Sequence, residues 1–538
     1  MPTWLTAGAR RNARYVNVVN VSDCDSPGPG RYPDALIPAV DEYVNETRNA
    51  LPVTVPANQS RVIWVDLFVP PGSAPGTHEG GQLKLHSNER DIALPFKVSV
   101  LPFVLNSTSS MSSLYNTPAG GIFAGHRIAN FTDSRVGPVT QENVELVKRY
   151  LEGMLMHRVS GGSLLGADGI VQLGQTEPPC PLCDFDAWTN EFGTFIDGRD
   201  TPFGLKQARI TAFQMACNSQ IGSSVNSSCP IKHAVNATAA ELRAVQTYWR
   251  NLLKHFQKQG WEDLLFDYTM DEPHTVPGKS PDDWKHLHLR ASAAHAVDPA
   301  LRTLVTTEFC EEFQDANGSC VIPPDVVAAN RSGDITLWVP QMPFLAGRSD
   351  IPKGGQSGKG AHVHCKDVPL ENQREVYDFI SEPKRHLWWY LACFAEGGCC
   401  AGPQRKCTPA DRVALAGSCS VPCFMGWPSY MVDHTAIRNR MVQWATFRYD
   451  IWGELVWDTV AAFSPQSPAA GQPGNSTDAW DQLLVAGGNG EGTLWFPGRE
   501  SSHSALSADA VFADTRPLLT GPDKIGGKTH IPVASLRL

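Results

Sequence analysis

Hydrophobic positions near the start of the chain recur every second residue. Ile63, Val65, Leu67 and Val69 alternate until Pro70-Pro71-Gly72 breaks the run. Leu83 and Leu85 lead into a polar turn at 86–91, after which Ile92, Leu94, Phe96, Val98 and Val100 alternate again. Short alternating runs separated by turn residues are the pattern of half-buried strands. Residues 1–105 are therefore expected to form a β-sandwich domain. The small polar stretch Asn106 to Ser113 (NSTSSMSS) is the natural boundary.

Beyond it the period lengthens. Val144, Val147, Leu151, Met154 and Leu155 share one face of a helix, and so do Leu242, Val245, Trp249, Leu252, Leu253 and Phe256. The second of these helices carries a capping box, Thr238 with Glu241, and stops at Gly260. Strands are expected at 264–268, 301–307, 334–340, 386–391 and 453–460. Helices are expected around 284–295 and ahead of Gly453, the latter with Ile437, Met441 and Trp444 on one face. Alternating β and α units of this kind predict a (β/α)8 TIM-type barrel over residues 106–538. Two stretches interrupt it, about 176–232 and 393–428. Both are rich in Cys, Pro and Gly and read as long loops pinned by disulfides.

Composition narrows the setting. The 538 residues are 42% hydrophobic and 19% charged, with a net charge of -10 and no basic run, so nucleic acid is not an expected partner. No apolar run approaches the roughly 18 residues of a membrane span. Ten N-x-Ser/Thr sequons, at Asn20, Asn45, Asn58, Asn106, Asn130, Asn226, Asn236, Asn317, Asn330 and Asn475, exceed the roughly three expected by chance. With 14 Cys, an even number, they imply a secreted or lumenal glycoprotein with disulfides. Residues 1–14 lack an apolar core of signal-peptide length, so a signal is expected upstream of this chain, or else the start site is misassigned.

The chemistry concentrates in FDYTMDEPH, residues 266–274. An apolar strand runs into two adjacent carboxylates, Asp271 and Glu272, closed off by Pro273. Strand C-terminal ends are where α/β barrels keep their active sites. Two neighbouring acids suit a reaction in which one moves a proton and the other, still charged, stabilises the substrate. Adjacent strand residues face opposite ways, so both serve one site only if the strand has ended and the backbone turns. The plainer alternative is a capped loop with two solvated acids. Trp338, Trp388, Trp389, Tyr390, Trp452 and Trp457 lie near predicted strand ends, where aromatic faces can stack on sugar rings; the alternative for each is a place in the core. Cys180-Pro-Leu-Cys183 and His362-Val-His364-Cys365 have metal-like spacing without the partner motifs a zinc site needs, and no metal or organic cofactor is expected.

In this order, the predicted β-sandwich, the barrel with Asp-Glu-Pro after its fourth strand, and five further phrases resemble glycoside hydrolase family 123. The phrases are GRYPDALIP (30–38), LWWYLACF (387–394), NRMVQWATFRYDIWGELVWDT (439–459), GTLWFPG (492–498) and PVASLRL (532–538). The family comprises β-N-acetylgalactosaminidases and their relatives. The resemblance implies substrate-assisted, retaining hydrolysis, in which the sugar's own 2-acetamido oxygen attacks the anomeric carbon. It implies Glu272 as the general acid/base and Asp271 as the group that holds the acetamido N–H and stabilises the oxazolinium-like charge. It places Trp338, Tyr390 and Trp457 near the sugar. The chain departs from the family in the Cys-rich insert after Tyr390. It also ends where relatives continue into a final helix, so a barrel lacking its last helix is expected.

The expected function is thus an exo-acting β-N-acetylgalactosaminidase acting on a glycan, without a cofactor. Two other readings stand beside it. One is a glycosidase for a glycan without a 2-acetamido group. The other is a carbohydrate-binding glycoprotein that kept the fold and lost the activity.

Overall fold

A computed structural model describes residues 7–18; 27–126 except 54, 56 and 59; 128; 140–165; 185–199; 207–215; 237–273; 282–307; 328–342 except 330; 386–392; 428–463; 479–498 except 481, 482, 486 and 487; and 525–538 except 526. The chain divides into two compact units. One contains Met1–Arg14, Leu36–Ser107 and Arg499–Thr529, and the other Tyr15–Ala35, Thr108–Gly498 and His530–Leu538.

In the first hundred residues the described regular structure is β. Strand β1 (Ala7–Val18) pairs antiparallel with β3 (Ile63–Leu67), and β2 (Gly30–Pro38) completes a sheet of order β2–β1–β3. Strands β4 (Gly76–His86) and β5 (Asp91–Val100) form an antiparallel pair around the turn that the sequence predicts. The alternation in β5 is visible as half-buried Ile92, Phe96, Val98 and Val100 between exposed neighbours.

The second unit is built on a seven-stranded parallel sheet, nearly closed into an α/β barrel. Its strands are β6 (Ser112–Tyr115), β7 (Phe213–Gln214), β8 (Leu265–Met270), β9 (Arg302–Thr307), β10 (Leu337–Pro340), β11 (His386–Leu391) and β12 (Gly453–Val456). They lie in the order β6–β12–β11–β10–β9–β8–β7. Between β6 and β7 stands the segment at Ser160, in the place of an eighth strand. The Tyr115 amide donates to the Ser160 carbonyl at 2.8 Å, the Ser160 amide to Ser113 Oγ at 2.9 Å, and the Thr211 amide to Ser160 Oγ at 2.7 Å. Side-chain hydroxyls thus complete a ladder that backbone groups alone do not.

Residues alternate sharply on these strands. Leu114, Ala212, Phe266, Tyr268, Leu304, Leu337, Val339, Trp388, Tyr390 and Leu455 form one buried cluster inside the barrel. Their immediate neighbours on each strand face the other way, and most are buried too, as expected for parallel strands covered on both sides.

Helices separate the strands in sequence, among them α1 (Ala119–Gly125), α2 (Gln141–Met156), α3 (Gly162–Leu165), α4 (Phe185–Asp197), α5 (Ala239–Gln259), α6 (Asp283–His295) and α7 (Ala436–Arg448). Helix α5 starts at the expected capping box, with the Thr238 amide donating to Glu241 and the Glu241 amide to Thr238, and ends at Gly260 with φ 75°. Helix α7 turns its apolar stripe outward. Ile437, Met441 and Trp444 are its exposed side, Ile437 and Trp444 being 72% and 69% accessible. Its packed side is Asn439, Val442 and Thr446. Asn439 Nδ2 donates to the carbonyls of Ser429 and Met431, and Trp389 Nε1 donates to Thr446 Oγ1 at 3.0 Å. Directed polar contacts therefore set the helix orientation against its apolar stripe.

All 14 cysteines lie outside the described residues, as do His362 and His364 and most of the two Cys-rich stretches. No described helix is long and apolar enough to cross a membrane.

Candidate active site

The site begins with an irregularity in β8. Phe266 and Tyr268 point inward, and Asp267 and Thr269 therefore point outward. Asp267 is fully buried and accepts from Arg290 of α6, at 2.9 Å from Nε and 2.6 Å from Nη2. This pair ties β8 to the helix behind it. Tyr268 stands opposite Leu304 on β9, but Met270 stands opposite Val305, so two steps on β8 match one on β9. This is a β-bulge, a device that re-aims side chains beside functional sites. Without it Met270 would continue the inward series. With it Met270 is paired with outward-facing Val305, and Asp271 falls level with inward-facing Thr306.

The contacts of Asp271 confirm the shift. Its Oδ1 accepts from Thr306 Oγ1 at 2.6 Å and from the Tyr268 hydroxyl at 3.0 Å. The next residue then turns sharply. Glu272 has φ 44°, in the left-handed region, and its amide donates to both the carbonyl and the hydroxyl of Thr306, at 3.1 and 3.0 Å. A non-glycine residue held there costs about 1–3 kcal/mol, and such residues collect at functional sites. The turn brings the Glu272 carboxylate to the same barrel end as Asp271. There its Oε1 accepts from the hydroxyl of Tyr390, on β11. Both acids are exposed at the barrel mouth, while Pro273 behind them is buried. The condition that the strand ends and the backbone turns is met at Glu272.

The two tyrosines are donors by construction. Burial, and then the Asp271 charge, push the Tyr268 hydroxyl well above its ordinary range. Burial and then the Glu272 charge do the same for Tyr390. Each phenol keeps its proton and offers it to a different carboxylate. The acids are adjacent in sequence, yet their surroundings differ, and paired groups in distinct surroundings are suited to separate roles.

The aromatic candidates separate. Tyr390 belongs to the site. Trp457 follows β12 directly; it is half-buried, its indole lies beside Gly492, and its carbonyl accepts from Asn116 Nδ2 at 2.9 Å. Trp338 is not on this face. It is fully buried between Leu337 and Val339, which both point into the barrel, so its ring packs on the outer side of β10. The strand period overrides its place near a strand end. Trp388 is in the barrel cluster, Trp389 faces α7, and Trp452 precedes β12 and is exposed.

Tyr268, Thr306 and Gln341 also belong to this end of the barrel, and sequence reasoning does not single them out. The signal for two of them is the same period. Tyr268 follows Phe266, and Gln341 follows Leu337 and Val339, each on the inward side.

No family model matches the chain, and no curated protein matches it. Among solved structures it is similar to a family 123 glycoside hydrolase from Clostridium perfringens, described in a study of glycolipid glycan hydrolysis. The identity is 10%, over 98% of this chain and 73% of that one, with a TM-score of 0.49.

Proposed function

We propose that this chain is a glycoside hydrolase, an exo-acting β-N-acetylgalactosaminidase that works by substrate-assisted, retaining hydrolysis. One observation carries the reading. Asp271 and Glu272 occupy one barrel mouth, and each is held by a buried tyrosine of its own, Tyr268 and Tyr390. A proton-transfer group beside a fixed charge is what this reaction requires.

In the proposed mechanism the acetamido oxygen of the bound sugar attacks C1 while Glu272 protonates the departing glycosidic oxygen. The C1–O bond breaks, and an oxazolinium ring holds the positive charge. Asp271, charged and fixed by two hydroxyl donors, accepts from the acetamido N–H and stabilises that ring. Glu272, now a carboxylate, takes a proton from water as the water attacks C1 and the ring reopens. Two inversions give net retention. The chemistry uses only the sugar, water and the two carboxyl groups.

The setting proposed with it is a secreted or lumenal glycoprotein, with a β-sandwich ahead of the barrel and a glycan as substrate. Three of its sequons lie among the described residues, at Asn45, Asn58 and Asn106, and all three are exposed.

The test is hydrolysis of the aryl β-glycosides of N-acetylgalactosamine, N-acetylglucosamine and galactose by wild type, Glu272→Gln and Asp271→Asn. Cleavage of acetamido sugars only, reduced about a hundredfold or more in both variants, is expected. Cleavage of the galactoside, or indifference to Asp271→Asn, overturns the mechanism. Silence of the wild type on all three overturns the assignment and directs attention to glycan binding.

A further inference from the structure

Among the described residues, two polar atoms on the inner face of the barrel, close to the ends of their strands, have no hydrogen-bond partner: Gln214 Nε2 and Gln341 Oε1. Each is buried. Gln214 and Gln341 are 2% and 1% accessible as whole residues. Their facing follows from register. Gln214 continues the inward series of Ala212 and pairs with Phe266, and Gln341 continues Leu337 and Val339 and bridges to Tyr390. A buried group left unpaired loses its hydration for nothing, and native proteins keep few of them. Two on one face of one barrel describe a surface completed by something polar that enters it.

Gln341 is the one of the two tied to the acid pair. The β-bridge places it beside Tyr390, and the Tyr390 hydroxyl binds the Glu272 carboxylate. Its carboxamide therefore stands next to the group that holds the acid/base, on the same inward face. A carbonyl oxygen accepts from O–H or N–H. In the proposed reaction the acetamido N–H is taken by Asp271, so what remains on the sugar to donate is a hydroxyl.

We infer that Gln341 is a specificity-determining residue that accepts a hydrogen bond from a hydroxyl of the sugar whose bond is cleaved. The inference rests on the hydrolase reading and deepens it. A site built to hydrogen-bond a hydroxyl discriminates strongly against a substrate that lacks it, because the protein group is then left buried and unpaired.

The experiment is a double-mutant cycle between protein and substrate. Wild type and Gln341→Met, which keeps the length of the side chain and removes the acceptor, are assayed on the aryl β-N-acetylgalactosaminide and on its 3-, 4- and 6-deoxy forms. Gln341→Leu serves as a second variant. The expected result is a loss of about tenfold or more in kcat/KM for the variants on the parent substrate. One deoxy sugar should cost wild type a similar factor and cost the variants little. The melting temperature of the variants should not fall, since an unpaired buried acceptor has been removed. Wild-type activity with no deoxy position coupled to Gln341, as when only a water fills the position, overturns this inference alone. So does a lowered melting temperature that accounts for the lost activity. Silence of the wild type on every acetamido sugar overturns the hydrolase reading, and this inference falls with it.

Discussion

Tyr390 donates its phenol hydrogen to Oε1 of Glu272, joining β11 to the turn after β8 across 118 residues of sequence. Removing the phenol takes from the Glu272 carboxylate its donor on β11. For Tyr390→Phe, kcat on the aryl β-N-acetylgalactosaminide should fall about tenfold or more, because the carboxylate of the proposed acid/base loses its positioning contact. An unchanged kcat would show that this contact does not position Glu272 for the reaction.

Much of this site was legible from one short phrase. An apolar strand ending in two acids marks a barrel mouth, and Asp271 and Glu272 are there. The bulge was not legible, because register depends on the neighbouring strand and nothing within FDYTMDEPH fixes that Tyr268 meets Leu304 while Met270 meets Val305. Trp338 misled for a related reason. Nearness to a strand end does not decide the side, and the inward parity of Leu337 and Val339 does. Helix α7 shows the limit of hydrophobic periodicity. Ile437, Met441 and Trp444 share a face, but the hydrogen bonds of Asn439 and Thr446 choose the opposite face for packing. The capping box of α5 was readable because both partners lie within four residues.

The pair Asp267 and Arg290 holds β8 in place behind the acids. Both side chains are almost wholly buried, at 0% and 3% accessibility. Arg290→Met leaves a buried carboxylate without its cation and should destabilise the fold by about 3–5 kcal/mol. The double replacement Asp267→Leu with Arg290→Met should recover most of that loss, since neither charge then remains. Denaturant titration of the three proteins measures both effects. A double variant as unstable as Arg290→Met would show that the cost arises from packing and not from the orphaned charge.

Closure of the barrel at Ser160 sets a steric limit at Gly162. A Cβ built there would lie 1.9 Å from the carbonyl oxygen of Ala212, and backbone cannot yield as a flexible side chain does. Gly162→Ala should push α3 away from β7 and weaken the hydroxyl ladder of Ser113, Ser160 and Thr211, at a cost of about 1–3 kcal/mol or more. Ala212 is on the inner strand face, so activity should fall along with stability. A variant with unchanged melting temperature would mean that α3 and β7 are not in register as described.

Glu152 of α2 makes stability depend on pH in a direction opposite to that of most carboxylates. Burial pushes its carboxyl up from 4.5 to about 7, against the opposing charge of Arg149. The folded state thus prefers the neutral acid. A raised value contributes stability that is fully present below the unfolded value near 4.5 and is lost as pH rises through about 7. The melting temperature of wild type should therefore decline between pH 5 and pH 8 more than that of Glu152→Gln, whose amide is neutral throughout. The two proteins should lie closest at pH 5, where the wild-type carboxyl is protonated in the fold, and the variant should gain on wild type at pH 8. Parallel curves would show that the Glu152 carboxyl is hydrated well enough to ionise in the folded state at its ordinary pH.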